Sequence, residues 1–526
     1  MYRIPPLLYS LLLMFTVACF PVTEVGTLET SALEDGFRTD AATKIHTLDA
    51  SVILFPDGFA LRGDTIYGYG SRHWMDKDLG RTSRFITTDS IAAITYYEKN
   101  MPAGRFFGEF MYFLTAPGMT YLGVYCIMNP KACFGSCPTV YTYSDTGMTL
   151  EAELFSSSIS KLMEADDLDV LGERPIEDGA FPLRITNEAL ETHYINQYQL
   201  IDIQHQPGIR VYPNPKNDFI AVREETSPLS VRSRMGEDVL EQIRTRDALQ
   251  YRTGDNAFKE LSATNEQDWI EVAFQVPESA ESVRLVLRMR NSLLSTVLFY
   301  DLVLGSQGLK AIDWTRKMNE DAVYAGIFNE VYKAFSGIRI QTEHNGKWND
   351  CGVIHDVGPI NWKHIAVELP VRRSGAMHVR LEFFPDNILI DYIAVDTTAS
   401  GGSQFHVRRL DPLTVINNEG EECSEILPLL QDVDEKRLVT NPGDSYRMFY
   451  DIPKSIYGAR TLFIKSHGYY TEWVRGGWLV EDESGYRFNL FDVEGAVAQL
   501  RKRWIVGREN IESTFFNARI PVREEL

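Results

Sequence analysis

Two cysteines four residues apart, Cys133 and Cys137 in KACFGSCPTVYTY, are the residues of this chain whose type and spacing come closest to doing chemistry. Thiolates are nucleophiles and soft metal ligands, and in an oxidising compartment a close pair becomes a disulfide. A four-residue turn can bring two Cα atoms within the roughly 4.4–6.8 Å that a disulfide tolerates. Gly135 is free to take a positive φ, and Pro138 stiffens the exit. The spacing therefore points first to a structural disulfide, with a redox centre or metal clamp as the rival. Cys126 is a competing partner for Cys133. Setting Cys19 aside, an odd number of cysteines remains, so at least one of Cys126, Cys351 and Cys423 stays unpaired within a monomer.

No other catalytic signature accompanies the pair. The chain has no Gly-x-Ser-x-Gly elbow, phosphate loop, His-Glu-x-x-His or EF-hand loop. Its histidines are scattered, and the acidic run EADDLD (Glu164 to Asp169) reads as a solvated turn because it lacks the alternating ligands and glycine of a calcium loop. No metal or cofactor is expected. The aromatic-rich SHGYYTEWVRGGW segment is the place to look for ligand binding: Tyr469, Tyr470, Trp473 and Trp478, with Trp348 and Trp362 elsewhere, could stack on the apolar face of a sugar. Core packing of the same rings is the alternative.

The elements that must position these groups begin with an apolar run, Leu7 to Val17, behind Arg3, which has the layout of a secretory leader over 1–18. Ala18-Cys19 resembles a lipobox, making Cys19 the expected lipidation site, although Thr16 stands where such boxes carry Leu. The polar stretch 19–45 reads as an unstructured tether. With 52 Lys+Arg against 73 Asp+Glu, a net charge of −21 disfavours nucleic acid and anionic lipid as partners. Membrane residence would then rest on the N-terminal lipid or on apolar segments. A second apolar segment, 106–128, holds nineteen uncharged residues from Phe110 to Met128. Pro117-Gly118 in its middle points to a buried hairpin, with insertion into the membrane interface as the alternative.

The rest reads as mainly β. SVILFPDGFALRG predicts a hairpin at Pro56-Asp57-Gly58, and TVYTYSDTGMTLEAELF another at Asp145-Thr146-Gly147 with Thr149, Glu151 and Glu153 on a wet face. WIEVAFQVP, VRLVLRM and LFYDLVLG (Trp269 to Gly305) are echoed by WKHIAVELP, VRLEFF and ILIDYIAVD (Trp362 to Asp396), and more loosely between Tyr446 and Ser466. Such strand–turn–strand units bury both faces only when stacked as a sandwich. Helices are expected from Glu237 to a stop at Gly254, from Asn319 to Gly337, and from Asp492, the last placing Arg501, Lys502 and Arg503 on a solvated face. The expected fold is an N-terminal β domain (46–255) carrying the cysteine motif, then β-sandwich units of jelly-roll or Ig-like kind (256–410) with a few helices, and a C-terminal β/α domain (411–526).

CFGSCPTVYTY, LEAELFSSSISKLMEADDLDVL and ITNEALETHYIN, with Asn187, Glu188, Glu191, Thr192 and Tyr194, resemble a group of uncharacterised lipobox-bearing envelope proteins of Bacteroidota type over about residues 85–205. The resemblance implies an envelope lipoprotein and no activity. Cys133-x-x-x-Cys137-Pro138 is also similar to the motif of the SCO family, membrane-anchored thioredoxin-like copper chaperones, which implies Cu(I) held by two thiolates and a later histidine. The chain departs from that family after the motif, where a strand stands in place of a helix, and His193 and His205 fit no family pattern. The expectation is a lipid-anchored envelope protein, on the periplasmic or surface face, that binds a glycan, peptide or protein without catalysis. A thiol-redox or copper protein using Cys133 and Cys137 is the alternative, and a hydrolase built from residues distant in sequence is a third class.

Overall fold

The computed structural model describes residues 22–517 except 29–32, 34, 41, 48–50, 56–57, 75–76, 83–85, 89–90, 101–137, 145–146, 172–178, 188–190, 248, 356, 360, 373–374, 399–404, 442–443 and 474–485. Cys19, Cys126, Cys133, Cys137, Trp478 and the apolar segment 106–128 therefore lie outside the described residues. The chain divides into two units: one takes the described residues of 1–123, 434–436 and 473–480, the other the rest.

In the first unit the sequence reading needs correction at Gly58. Ser51–Phe55 and Phe59–Arg62 do not pair as a hairpin. The former lies in a six-stranded antiparallel sheet ordered Val22–Leu28, Ile91–Asn100, Ala42–Thr47, Ser51–Phe55, Gly70–Trp74, Lys77–Thr82. The latter belongs to a small sheet with Arg38–Thr39, Thr65–Tyr67 and Ile86–Thr87. The turn is a corner between sheets, and Gly58 is required there: its φ is +76°, and a Cβ would sit 2.0 Å from the Thr39 carbonyl oxygen. Ile45, Ile53, Phe55, Phe59, Leu61, Ile66, Ile86, Ile91 and Ile94, drawn from both sheets, form one core. Val22–Leu28 pairs along its length with Leu28↔Ile94 to Val22↔Asn100, so the stretch expected as a tether carries a strand.

The second unit is mainly β as well, and contains the expected sandwich. One sheet runs Ser230–Ser233, Asp268–Val276, Gly375–Phe383, Ile338–His344, Lys347–Ile354; the other is Lys363–Pro370, Ser282–Asn291, Ile388–Asp396. Alternating apolar residues from both, such as Ile270, Val272 and Phe274 against Leu285, Leu287 and Met289, meet in a single core. The internal echo takes a form that the strand–turn–strand reading did not anticipate. The first strand of each copy pairs with the second strand of the other, Asp268–Val276 with Gly375–Phe383 and Lys363–Pro370 with Ser282–Asn291. Each copy thus spans both sheets. The echo ends at the third segment: Ile388–Asp396 is a strand, whereas Leu298–Leu304 is a π-helical turn continuing the helix Leu293–Val297.

Two further sheets cross the expected boundaries at 255 and 410. One orders Gly147–Glu153, Thr139–Ser144, Gly179–Thr186, Ser445–Ile452 and Thr414–Asn417. The other orders Ala165–Leu171, Ala459–Glu472, Glu191–His205 and Phe405–Leu410. Strands on either side of the sandwich in sequence therefore close the same sheets, and the three-domain partition does not describe them. The hairpin between Thr139–Ser144 and Gly147–Glu153 is present, with Ser144 opposite Gly147. Of the three residues expected on its second face only Thr149 is wet, however: Glu151 and Glu153 are buried with Ala152 and Leu154, and Thr142 Oγ1 donates to Glu151 Oε1. The EADDLD run is also no solvated turn. Ala165–Leu171 is a strand in which Asp167 and Asp169 are buried beside Lys363, whose Nζ lies 2.5 Å and 3.4 Å from their carboxyl oxygens.

Helices occupy one region of this unit. The expected helix from Glu237 reduces to a short 3-10 turn, Leu240–Gln242, and Gly254 instead precedes the helix α1, Asp255–Thr264. With α2 as Leu293–Val297 and α3 as Ala311–Glu320, α4 spans Ala322–Ser336, capped by Asp321, whose side chain accepts from the amides of Val323 and Tyr324. Helix α5, Val493–Asn517, begins where expected.

Candidate ligand-binding site

The rings expected to present a sugar platform are instead inside. Tyr469, Tyr470 and Trp473 are 5%, 2% and 1% exposed. Successive strand residues point to opposite faces, so burial of both Tyr469 and Tyr470 means that both faces of their strand are covered. Tyr469 stacks on Tyr194 at 4.6 Å, and the Tyr470 hydroxyl donates to the Ser156 carbonyl at 3.1 Å. Trp348 and Trp362 are half-buried, with arginines on their faces. Arg380 lies between Trp348 and Trp269, 4.0 Å and 4.3 Å from the ring centres, while Arg288 and Arg290 lie 4.9 Å and 5.0 Å from that of Trp362. Cation–π packing of this kind occupies a ring face that a sugar would need. His193 and His205 are buried too. His193 Nε2 lies 2.6 Å from Glu191 Oε1 and Nδ1 lies 3.1 Å from Thr440 Oγ1, in a strand buried at every residue except Gln199.

A concave site lies elsewhere, where α4, α5, the π-helical turn and the sandwich loop at Phe384 meet. Four residues of α4, Phe328, Val331, Tyr332 and Phe335, follow the i, i+3, i+4, i+7 spacing that puts them on one helix face. Val493, Val497 and Arg501 follow i, i+4, i+8 on α5. Leu298, Phe299 and Val303 come from the π-helical turn, a form whose wider winding recurs at functional sites. Together with Phe384 and Phe488 these surround a cavity of about 280 Å³. For scale, an apolar cavity of about 150 Å³ accommodates benzene. Phe299, Val303, Phe328, Phe335, Phe384 and Phe488 are buried and form its floor; Asn265, Gln267, Ala334, Val493 and Glu494 are exposed and form its mouth.

Arg501 is the charged group of this floor, only 4% exposed, and not part of the solvated face expected for Arg501-Lys502-Arg503. Its Nη1 donates to the Leu261 carbonyl at 2.9 Å and its Nη2 to the Glu266 carbonyl at 3.4 Å, at the C-terminal end of α1. Cations are favoured there by the helix dipole. The Phe384 ring centre is 4.7 Å from Cζ, and burial lowers the guanidinium pKa from its ordinary value. A signal for this site was present in the sequence: Arg501 falls on the same helical face as Val497 and Trp504, so its neighbours by spacing are apolar. Adjacency to Lys502 and Arg503 obscured it.

No protein-family model and no curated protein matches the chain. Among solved structures it is similar to the cycloalternan-forming enzyme from Listeria monocytogenes in complex with a pentasaccharide substrate, with 8% identity and a TM-score of 0.15, over 65% of this chain and 31% of that one. It is similar at 8% identity and a TM-score of 0.14 to the GH31 alpha-xylosidase from Xanthomonas citri, over 82% of this chain and 38% of that one. The chain thus spans less than two fifths of the length of either, and likeness at this level carries no argument about fold or activity.

Proposed function

We propose that this chain is a non-enzymatic binding protein of the cell envelope, anchored through a lipid on Cys19, which holds a small, largely apolar ligand in the cavity between α4 and α5. The observation that carries the reading is the cavity: an opening to solvent above a floor of five aromatic rings, with few polar groups among the described residues that line it, is the form of a binding site. The lipobox-like Ala18-Cys19 supports an envelope address, and the Bacteroidota-type resemblance supports the same assignment.

The binding reading is tested with phenylnaphthylamine, a neutral apolar dye that brightens in dry sites. The purified protein should bind it saturably, and Val497→Trp, which places a large ring in the cavity from its wall, should abolish binding with little change in the thermal transition. Undiminished dye binding by the filled variant would overturn the assignment of the site. The anchor is tested separately: labelled fatty acid should enter the wild type and not Cys19→Ser, and equal labelling of both would remove the lipid from the account.

A further inference from the structure

We infer that the ligand of this cavity carries one carboxylate, bound by Arg501, with an aryl or short alkyl body lying on the aromatic floor. The inference rests on the binding reading above and adds the chemical class of the ligand. A guanidinium has five N–H donors in a planar fork and stays charged at any physiological pH. In Arg501 two hydrogen bonds are formed, both to main-chain carbonyls, and that to Glu266 is long at 3.4 Å. Its Nε is buried with no acceptor among the described residues.

The negative groups nearby are otherwise engaged or remote. The Glu266 carboxylate is 2.7 Å from Arg234. The Asp386 carboxylate accepts from Arg252, Trp504 and Arg508. Glu494, at the exposed mouth, is seven residues from Arg501 on α5, about 10 Å along the helix axis. Among the described residues no carboxylate forms an ion pair with Arg501. A buried cation satisfied only by carbonyls leaves an electrostatic deficit that an entering anion fills. Carboxylate is the anion whose two oxygens match the guanidinium fork. The fold has already desolvated the cation, so binding need dehydrate only the ligand's head. Cavity size bounds the body: about 280 Å³ with an open mouth, roughly twice the volume that accommodates benzene, admits a few aromatic rings or a short chain, and not a steroid or long-chain lipid.

The test compares phenylbutyrate with its neutral counterpart phenylbutanol on the full mature protein by calorimetry. Wild type should bind phenylbutyrate about tenfold or more tightly than phenylbutanol, the scale of one charge-assisted pair. Arg501→Met, which keeps an apolar stem without the guanidinium, should bring the two affinities together. Because this substitution also removes the contacts to α1 and could unfold that region, the wild-type comparison stands alone as a test: equal affinities there, or preference for the alcohol, overturn the carboxylate inference. That outcome leaves the apolar site intact, whereas failure of both compounds and of phenylnaphthylamine to bind overturns the binding reading itself. Arg501→Lys, a point charge without the fork, should retain part of the preference; full retention by Arg501→Met overturns the role of Arg501.

Discussion

Trp504 on α5 donates its indole N–H to Asp386 Oδ2 at 2.6 Å, and this bond ties the C-terminal helix to a loop of the sandwich. Asp386 is fully buried and holds a φ of +59°. The same carboxylate takes Arg252 Nε at 2.5 Å and Arg508 Nη1 at 3.0 Å. One acid therefore accepts from two guanidinium groups and an indole, with Asp255 as a second acid for Arg508, and the loop it anchors presents Phe384 to the cavity and to Arg501.

Asp386→Asn should destabilise the protein by about 3–5 kcal/mol, because it removes the fully buried charge on which Arg252 and Arg508 converge, although Arg508 keeps its ion pair to Asp255. Asparagine tolerates the left-handed backbone, so the loss reports the charge and not strain. Equilibrium denaturation measures it, and a cost below about 1 kcal/mol, the range of surface pairs, would disprove the anchoring role.

Asp169 should make stability fall as pH rises. Burial first, and then the charge of Asp167, push its pKa up to about 8, against the opposing effect of Lys363. A folded-state pKa raised above the unfolded value contributes stability that is fully present below about 3.8, declines through the interval, and is gone above about 8. Asp169→Asn, a mimic of the neutral acid, should flatten that decline. Unfolding free energies at about pH 5 and about pH 9 give the comparison, and an unchanged slope in the variant counts against the assignment.

Gly58→Ala should selectively weaken the N-terminal unit. Beyond about 1–3 kcal/mol for a left-handed non-glycine residue, its Cβ would collide with the Thr39 carbonyl. Hydrogen exchange should speed up in Ser51–Phe55 and Phe59–Arg62 while the sandwich strands keep their protection. Uniform protection across both units would show that the corner tolerates a side chain.

Native alkylation should separate the two described cysteines. Cys351 is half-buried, while Cys423 is buried and its thiol pKa is raised by desolvation and by Glu425. Iodoacetamide should label Cys351 first and Cys423 only on unfolding, and mapping without reduction should recover a peptide joining Cys133 to Cys137. Copper held by free Cys133 and Cys137 thiolates would instead favour the metal-binding alternative.

The sequence by itself determined what is local. Period-two patterning marked the mainly β character and most strands of the sandwich, Asp492 marked the start of α5, and the Trp269 and Trp362 units announced two related sandwich halves. These features depend on spacing and turn chemistry within a few residues. Only the tertiary structure decided which faces are covered. Glu151, Asp167 and Asp169 read as wet because they are charged, yet Glu151 is buried against Thr142, and the strand Ala459–Glu472 with Lys363 encloses the two aspartates. Tyr469 and Tyr470 sit among glycines like loop residues, but both sides of their strand are packed. Gly58 reads as a hairpin turn, and whether the next strand returns to the same sheet or crosses to another is set by partners tens of residues away. Arg501 stands in a basic triplet, and its burial follows from the end of α1, more than two hundred residues earlier, where two carbonyls accept from two of its five N–H donors. Burial is a property of the surfaces that meet, so a local pattern such as the spacing of Val497, Arg501 and Trp504 can point to it but not assign it.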